Sequence, residues 1–498
     1  MTVLVLLLIC MFACGGGLAW WIWLRRRVAS ISEPPMYPGA LPLLGHAYML
    51  MGDSTNLWKV IREAVYESLK AGGIILMRIG TRKVYVITDP DDCLTVANTC
   101  LKKDFVYSFA NSWLGEGLVT ATVPTWKHHR KLINPAFSQH VLDGFLGVFN
   151  SQSRRLVKEL ETVVGKGPFD QWYYLGHNSL ETICLTAMGV NIGEDSILNN
   201  NYVFAIGEIL EIFSIRLQNF WMHNHFVYKW TNQKRREERV VKVLHEMSNS
   251  VLQRRKLELN GNVFSEINRQ KTSNNKCKAF LDLLLELTVE KNAFTDREIR
   301  EEVDTMIAAG HDTSATILMY TLILLGSHPE VQDKAFKEIQ EVVETDRDFE
   351  KQDLSKMMYL EAVLKESLRI HSIAPIVARQ VEREVKLKNY TLHPGSSCFL
   401  AIHGVHRHKM WGEDAEVFRP ERWLNPASLP ENPNAFSGFS FGRRMCIGRI
   451  YAMMSMKATL AHLLRHYRIL SDHSQLRFKL DILLKPVSGH HISIERRA

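Results

Sequence analysis

Apolar residues recur at intervals of three and four along most of this chain, and this spacing predicts amphipathic helices. One such run follows Gly448, and its predicted buried stripe consists of Ile450, Met454, Ala458, Ala461 and Leu464. A longer run extends from Thr295 to about Gly326, and Thr295 with Glu298 has the spacing of a capping box. Residues 74–80 and 84–88 instead predict two short strands. The pattern is therefore mainly helical with a small sheet.

The N-terminus carries an uncharged apolar run over residues 3–24, closed by three arginines at 25–27. About 20 apolar residues are enough for a helix to cross a bilayer. A cleaved signal peptide is the alternative, but its basic region would precede the apolar core, and nothing basic precedes Val3. We predict a retained single-pass anchor over residues 1–28. Because the arginines follow the run, the rest of the chain should remain in the cytosol.

Prolines and glycines concentrate in residues 29–46, which predicts a stiff, non-helical hinge. From residue 47 to 498 there is no internal repeat, low-complexity tract or second linker. Length alone would suggest two or three domains.

Composition narrows the class of protein. The chain has 46% hydrophobic and 23% charged residues, as expected of a globular protein, and its net charge of +8 suits an anionic partner or a membrane surface. The basic residues are scattered and match no nucleic-acid-binding motif, so we expect no nucleic-acid partner. The eight cysteines include no Cys-x-x-Cys pair, which argues against structural zinc or a disulfide framework.

Cys446 is the strongest candidate for chemistry, because it lies just before a predicted helix whose dipole favours a thiolate. The arginines close to it in sequence are Arg443, Arg444 and Arg449. A lone cysteine is most often a small buried hydrophobic residue. However, Gly442 and Gly448 leave room beside this one for a flat group to approach the backbone.

The residues Phe439, Gly442, Arg444, Cys446 and Gly448 resemble the haem-binding loop of the cytochromes P-450. The resemblance implies that these residues bind haem b and that the Cys446 thiolate is the axial ligand of its iron.

Trp126 and Arg130 lie four residues apart within a basic cluster, which by itself is usually a solvated surface. Their similarity to the Trp-x-x-x-Arg helix of the same family implies that they hold a haem propionate. Arg379 is similar to another propionate ligand. Lys127 and Lys131 would then face an acidic redox partner.

The predicted helix 295–326 contains Ala309, Gly310, Asp312 and Thr313 at a polar break in an apolar run, and such polarity needs a reason. The break resembles the oxygen-activation groove of the family. The resemblance implies that Thr313 steadies bound dioxygen, that Asp312 feeds protons through water, and that Ala309 and Gly310 border the haem. Family-four fatty-acid hydroxylases, which the chain also resembles, often carry Glu at the position of Ala309 and esterify it to haem. We therefore predict non-covalent haem.

Glu366 and Arg369 are three residues apart on a predicted helix, where an exposed pair would contribute only about 0.5 kcal/mol. Their similarity to the Glu-x-x-Arg motif of the family, with Arg422 downstream, implies a buried structural network instead. Losing one partner of such a network would cost about 3–5 kcal/mol.

No motif marks residues 190–290, which contain Phe213, Phe220, Trp221, Phe226 and Trp230. These aromatic residues fit either a lid that dips into lipid or a helical layer that packs inward.

Taken over the whole chain, the resemblance implies the cytochrome P-450 fold, mainly α with small β-sheets, with one transmembrane helix before a catalytic domain at residues 47–498. It implies a haem-thiolate monooxygenase of the endoplasmic reticulum membrane, served by NADPH-cytochrome P-450 reductase, with cytochrome b5 as a further candidate donor. The substrate would be a small apolar compound: a fatty acid, hormone, pheromone or xenobiotic. The alternatives are a haem-thiolate isomerase or dehydratase, which the Asp312 and Thr313 pair disfavours, and a non-catalytic haem- or ligand-binding membrane protein.

Overall fold

The computed structural model describes residues 16–17, 33–191, 196–266, 279–291 and 293–497. Apart from Gly16 and Gly17, the predicted anchor lies outside these residues. Within them, no helix combines the length and apolarity needed to cross a membrane.

Helices dominate the described chain, as the apolar spacing predicts. Those of eight or more residues are α1 (Ser54–Lys70), α2 (Pro90–Thr99), α3 (Val123–Ile133), α4 (Leu146–Leu160), α5 (Gln171–Ile183), α6 (Ser196–Gln218), α7 (Asn232–Glu266), α8 (Phe280–Lys291), α9 (Asp296–Ser327), α10 (Pro329–Val342), α11 (Met358–Ile370) and α12 (Arg449–His466). The long helix α9 is the centre of the fold and packs against α5, α7, α11 and α12. The predicted capping box is present, because the side chains of Thr295 and Glu298 each accept a bond from the other's backbone N–H.

The described residues contain ten short strands, which form small sheets. They are β1 (Ile74–Ile79), β2 (Arg82–Ile87), β3 (Val377–Gln380), β4 (Val385–Lys386), β5 (Thr391–Leu392), β6 (Ser397–Leu400), β7 (Tyr467–Leu470), β8 (Arg477–Asp481), β9 (Leu483–Ser488) and β10 (Ser493–Arg496). The largest sheet has the order β1-β2-β6-β3, and β2 pairs in parallel with β6, so strands from both halves of the chain share one sheet. The predicted strand pair is confirmed, but the turn is tighter than expected, since Arg82 already pairs with Ile79.

The described part of the predicted hinge is non-helical but packs along the first strand. Tyr37 donates its backbone N–H to Leu76, and Leu76 donates to Pro35. His46 adds a side-chain contact of 2.8 Å from Nε2 to the Tyr37 carbonyl oxygen. This segment therefore fixes the direction in which the chain enters the sheet.

The stripe predicted for α12 is buried only in its second half. Ala458, Ala461 and Leu464 are buried in the core, whereas Ile450 is 39% exposed and Met454 is half-buried. The first turns of α12 lie instead along a surface groove of about 850 Å³ that both side chains line. The spacing predicted the helix correctly but could not distinguish a core face from a groove wall.

Candidate haem site

The segment 439–448 forms a tight loop that holds Cys446 just before α12. The Cys446 N–H donates to the Phe439 carbonyl at 3.0 Å, and the Met445 N–H donates to the Gly442 carbonyl at 3.1 Å. Gly442 has a φ of +60°, and a Cβ there would lie 2.6 Å from the Asn98 side-chain oxygen, so only glycine fits without a shift. The loop therefore presents the Cys446 side chain, which is exposed, to open space.

Two opposing effects act on the protonation of Cys446. Although the Cys446 side chain is exposed, the protein atoms around its sulfur reduce its solvation and raise the pKa of the thiol, whereas the Gly448 backbone, Arg130 and Arg449 each lower it. The nearby positive charges therefore act in the direction that the sequence predicts, and the loss of solvation opposes them. A metal ion would remove the proton, since a coordinating thiol is deprotonated outright.

Helix α9 is buried along almost its whole length, with one opening near its middle. Ala309 is exposed and Ala308, Gly310 and Thr313 are half-buried, while the residues around them are buried. A gap of this kind within a core helix indicates a cavity beside it. Gly310 also serves packing, because a Cβ there would lie 2.7 Å from Ile183 on α5.

The polar side chains of this opening are directed by specific bonds. Thr313 Oγ1 donates to the Ala309 carbonyl oxygen at 2.6 Å, and α9 stays helical through this turn. Asp312 immediately precedes Thr313, and its Oδ1 lies 2.8 Å from Lys485 Nζ. Its second oxygen, Oδ2, is buried and has no hydrogen-bond partner among the described residues.

Buried cations collect beside the cysteine loop, and no carboxylate of the described residues forms an ion pair with them. Arg379 is fully buried, and its Nε and Nη2 have no hydrogen-bond partner within the described chain. The same is true of Nε and Nη1 of Arg444, whose guanidinium lies 4.5 Å above the ring of buried Trp126. Burial and the neighbouring Arg379 lower the pKa of Arg444 to about 10. An unpaired buried charge is costly, so this cluster is suited to an anion.

Arg130 joins this cluster from α3. Its Nη1 donates to the carbonyl of Met445, next to Cys446, at 3.0 Å, and its Nε donates to Asn134 at 2.8 Å. Burial lowers its pKa. The structure thus brings together Trp126, Arg130, Arg379 and Arg444, which the sequence could relate only by resemblance.

Two further residues of the cluster were not predicted from the sequence. Lys103 pairs with Arg379 through an isolated β-bridge, and its Nζ lies 4.2 Å from the centre of the Tyr107 ring. Burial, with Arg379 and Arg444 nearby, lowers the pKa of Lys103 well below its usual value. No local pattern marks Lys103, because its relation to Arg379 arises only through pairing of distant segments.

The Glu366, Arg369 and Arg422 side chains form a fully buried network between α11 and the segment that contains Arg422. Glu366 accepts two bonds from Arg369, at 2.7 and 2.9 Å, and one from Arg422 at 2.9 Å. Trp423 Nε1 adds a further bond to Glu366 at 2.9 Å, which a phenylalanine could not supply. Arg369 Nη2 also donates to the Val417 carbonyl, which ties the segment before Arg422 to α11.

These residues fit a flat, dianionic, iron-bearing group. An accessible thiol lies on a glycine-flanked loop, several buried cations have no ion-pair partner within the described chain, and an uncovered stretch of α9 supplies space. A thiol can ligate iron, and arginine forks suit carboxylates. The donor set is that of a haem-thiolate protein.

Comparison with known proteins agrees with the site. The chain belongs to the cytochrome P450 family, whose model matches residues 34–492. Cytochrome P450 4c21 of Blattella germanica is 33% identical over 468 residues, covering 92% of this chain and 93% of that protein. Cytochrome P450 4V2 of Homo sapiens is 32% identical over 489 residues, covering 95% and 93%. Cytochrome P450 4c3 of Drosophila melanogaster is 31% identical over 494 residues, covering 95% and 91%.

Family membership settles several predictions. The resemblance to family-four cytochromes P450 is confirmed, as is a monooxygenase class of enzyme. The cofactor is haem b, bound non-covalently with a cysteine thiolate on its iron, as predicted. The mainly helical fold with small sheets is confirmed as well.

Proposed function

We propose that this protein is a membrane-associated monooxygenase that inserts one oxygen atom of O2 into a small apolar substrate. NADPH would supply the electrons through NADPH-cytochrome P450 reductase, with cytochrome b5 as a second candidate donor. The observation that carries the proposal is the opening in α9, where Thr313 and the Asp312–Lys485 pair border the only half-buried or exposed stretch between residues 301 and 326 of the described helix.

In this proposal Cys446 ligates the iron, and Trp126, Arg130, Arg379 and Arg444 hold the propionates. Phe439, Gly442, Gly448, Ala309 and Gly310 border the cofactor. Bound haem would supply the redox-active iron at which dioxygen is reduced.

The protein's own groups would deliver protons to that cavity. Because Thr313 donates its hydroxyl proton to Ala309, its oxygen presents a lone pair to the opening and can accept a bond from a water molecule. Asp312 Oδ2 is free to accept and pass on a proton, while Lys485 holds Oδ1. In this proposal water molecules would connect Asp312 with Thr313 and complete the relay.

The substrate would meet apolar walls. Ile373, Ala374 and Ile376 are half-buried at the turn before β3. Apolar side chains left partly uncovered in this way are suited to contact an apolar ligand. This supports a small apolar substrate without selecting one class.

Surface aromatic residues support membrane association. Phe226 is 72% exposed and Trp230 is 74% exposed, and Phe220 and Trp221 are partly exposed, whereas Phe213 is buried. Aromatic side chains of this kind suit the membrane–water interface. We propose that this face lies on the endoplasmic reticulum membrane, together with the anchor predicted for residues 1–28.

The reductase would dock on the side of Cys446. Lys127 and Lys131 are exposed on α3, and Arg449 lines the groove along α12. Complementary charges at such a surface mainly accelerate association.

The test is turnover with purified reductase. Thr313→Ala should lower product formed per NADPH consumed by roughly a hundredfold, because a proton-positioning group contributes about that much. Thr321→Ala is the matched control: Thr321 Oγ1 makes the same type of bond, to Ile317 at 2.7 Å, two turns further along the helix. Equal coupling in wild type and Thr313→Ala would reject the assigned role, and substrate turnover without NADPH would reject the reaction class.

A further inference from the structure

One buried carboxylate on α9, Glu302, contacts two other parts of the site. Its Oε1 lies 2.8 Å from His129 Nδ1 on α3, and both side chains are buried. Its Oε2 accepts the backbone N–H of Leu118 at 3.2 Å. Glu302 therefore joins the central helix to α3 and to the 115–122 loop that precedes α3.

The 115–122 loop is held at both ends. At its start, Glu301 on α9 accepts the Glu116 N–H at 2.9 Å. At its end, Arg444 Nη2 donates to the Ala121 carbonyl oxygen at 3.0 Å. The loop thus spans from the α9 carboxylates to one of the unpaired cations of the cysteine loop.

His129 lies on α3 next to the side chains that are proposed to hold the propionates. It is adjacent to Arg130 and lies three residues after Trp126, so the three share less than two turns of one helix. Arg130 reaches the carbonyl beside Cys446, and Trp126 lies under the Arg444 guanidinium. A rotation of α3 about its axis would displace both groups together.

We propose that Glu302 and His129 are positioning residues for the haem propionates. Through one carboxylate they fix the rotation of α3 and the place of the 115–122 loop, and so the directions of Arg130, Trp126 and Arg444. The inference rests on the proposed propionate roles of Arg130 and Trp126. Neither residue is expected to touch haem, so the effect is one of orientation.

The first measurement is resonance Raman spectroscopy of the haem-loaded protein, because propionate bending bands respond to the bonds made by the propionates. Glu302→Gln and His129→Gln should shift these bands and accelerate haem transfer to apomyoglobin by roughly tenfold, the typical effect of losing an orienting partner. His128→Gln is the matched control, since His128 is the exposed neighbour on the same helix. Wild-type bands and transfer rates in both buried-site variants would overturn the proposal.

A double variant separates positioning from stability. Replacing both members of a buried pair by apolar residues can leave stability nearly unchanged. Glu302→Leu with His129→Leu loses the Leu118 bond but leaves no buried charge unpaired, so it should melt closer to the wild type than Glu302→Leu alone and still show shifted propionate bands and rapid haem transfer. A double variant with wild-type melting, bands and transfer would reduce the pair to a replaceable structural contact and overturn the proposal.

The Arg130→Leu variant tests separately whether Arg130 binds a propionate, which the positioning role of Glu302 and His129 requires. If Arg130→Leu shifts the propionate bands and the Glu302 and His129 variants do not, the positioning role alone is rejected. If Arg130→Leu leaves the bands unchanged, the propionate role of Arg130 is rejected, and the positioning role falls with it.

Discussion

Lys485 Nζ lies 2.8 Å from Asp312 Oδ1 and connects a strand near the C-terminus to the opening in the central helix. Both side chains are largely buried, and the Lys485 ammonium also lies 5.0 Å from the Trp172 ring centre. The Tyr320 hydroxyl donates to the Leu484 carbonyl at 3.0 Å, which fixes the strand one residue earlier. The acid of the proposed proton relay is thus held by a residue that lies 173 positions away.

Lys485→Met should leave Asp312 buried and unpaired. The expected loss is about 3–5 kcal/mol in the free energy of unfolding, together with fewer product molecules per NADPH. Urea unfolding and coupled turnover would measure the two effects. Lys485→Arg, which keeps the charge, should recover most of both, and equal stability of the methionine variant would show that the pair contributes little.

Cys446→Ser should abolish the red-shifted Soret band of the reduced, CO-bound protein, because a hydroxyl cannot replace the thiolate as the strong electron donor to iron. Cys184→Ala is the matched control, since Cys184 is a fully buried cysteine in the core away from the loop. Its band should persist. Persistence in Cys446→Ser would refute the assignment of the ligand.

Arg379→Met should have opposite effects on the two states of the protein. Without haem, removing a buried and unpaired charge should raise the free energy of unfolding by about 1–3 kcal/mol. With haem, losing a propionate partner should weaken haem binding by roughly 10–100-fold. Unfolding of haem-free protein and haem titration would test this, with exposed Arg383→Met as the control. Equal destabilisation of both states would instead indicate a purely structural arginine.

The free energy of unfolding should depend on pH through Asp304, a buried carboxyl group on α9. Burial raises its pKa to about 8, although Ser248 and Arg300 each lower it. His245 Nε2 lies 3.6 Å and Arg300 Nε lies 3.8 Å from its Oδ2. Its pKa in the folded protein lies above its pKa of about 4 in the unfolded chain. Its stabilising contribution is therefore full below the unfolded pKa and is lost as the pH rises towards 8. Relative to wild type, Asp304→Asn should therefore gain about 1.4 kcal/mol of stability per pH unit within that window.

Melting temperatures of both proteins measured from pH 5 to 8 would test the titration of Asp304. Exposed Glu290→Gln should parallel the wild type throughout. A constant difference between wild type and Asp304→Asn across this range would mean that Asp304 does not titrate there.

Local signals predicted the long elements well. The capping box at Thr295 and Glu298 and the apolar spacing predicted α9 to within a residue or two, because a long helix repeats its pattern many times. The strands β3 and β6 were missed, since four residues carry too few alternations to stand out. The half-exposed start of α12 was assigned to the core for a related reason. The spacing of apolar residues identifies the apolar face of a helix but not what that face packs against.

The sequence predicted those parts of the site that lie within short motifs. Cys446 and the loop glycines lie within ten residues, and the motif places them together. The Lys485 partner of Asp312, the Lys103 neighbour of Arg379 and the Glu302 partner of His129 come from distant segments. Such pairs depend on tertiary packing, which no local pattern encodes. The loss of solvation that opposes a thiolate at Cys446 was not predicted for the same reason, since the surroundings of the sulfur are a property of the fold.

Because β2 pairs in parallel with β6, the largest sheet can be completed only late in the synthesis of the chain. Ile87 pairs with Leu400, so the edge of the first hairpin waits for more than 300 further residues to emerge. At about 5–20 residues per second, this delay is roughly 15–60 s. During that interval β2 offers unpaired backbone groups that another nascent chain could take up. We therefore expect the yield of folded protein to depend on translation speed and on chaperone supply.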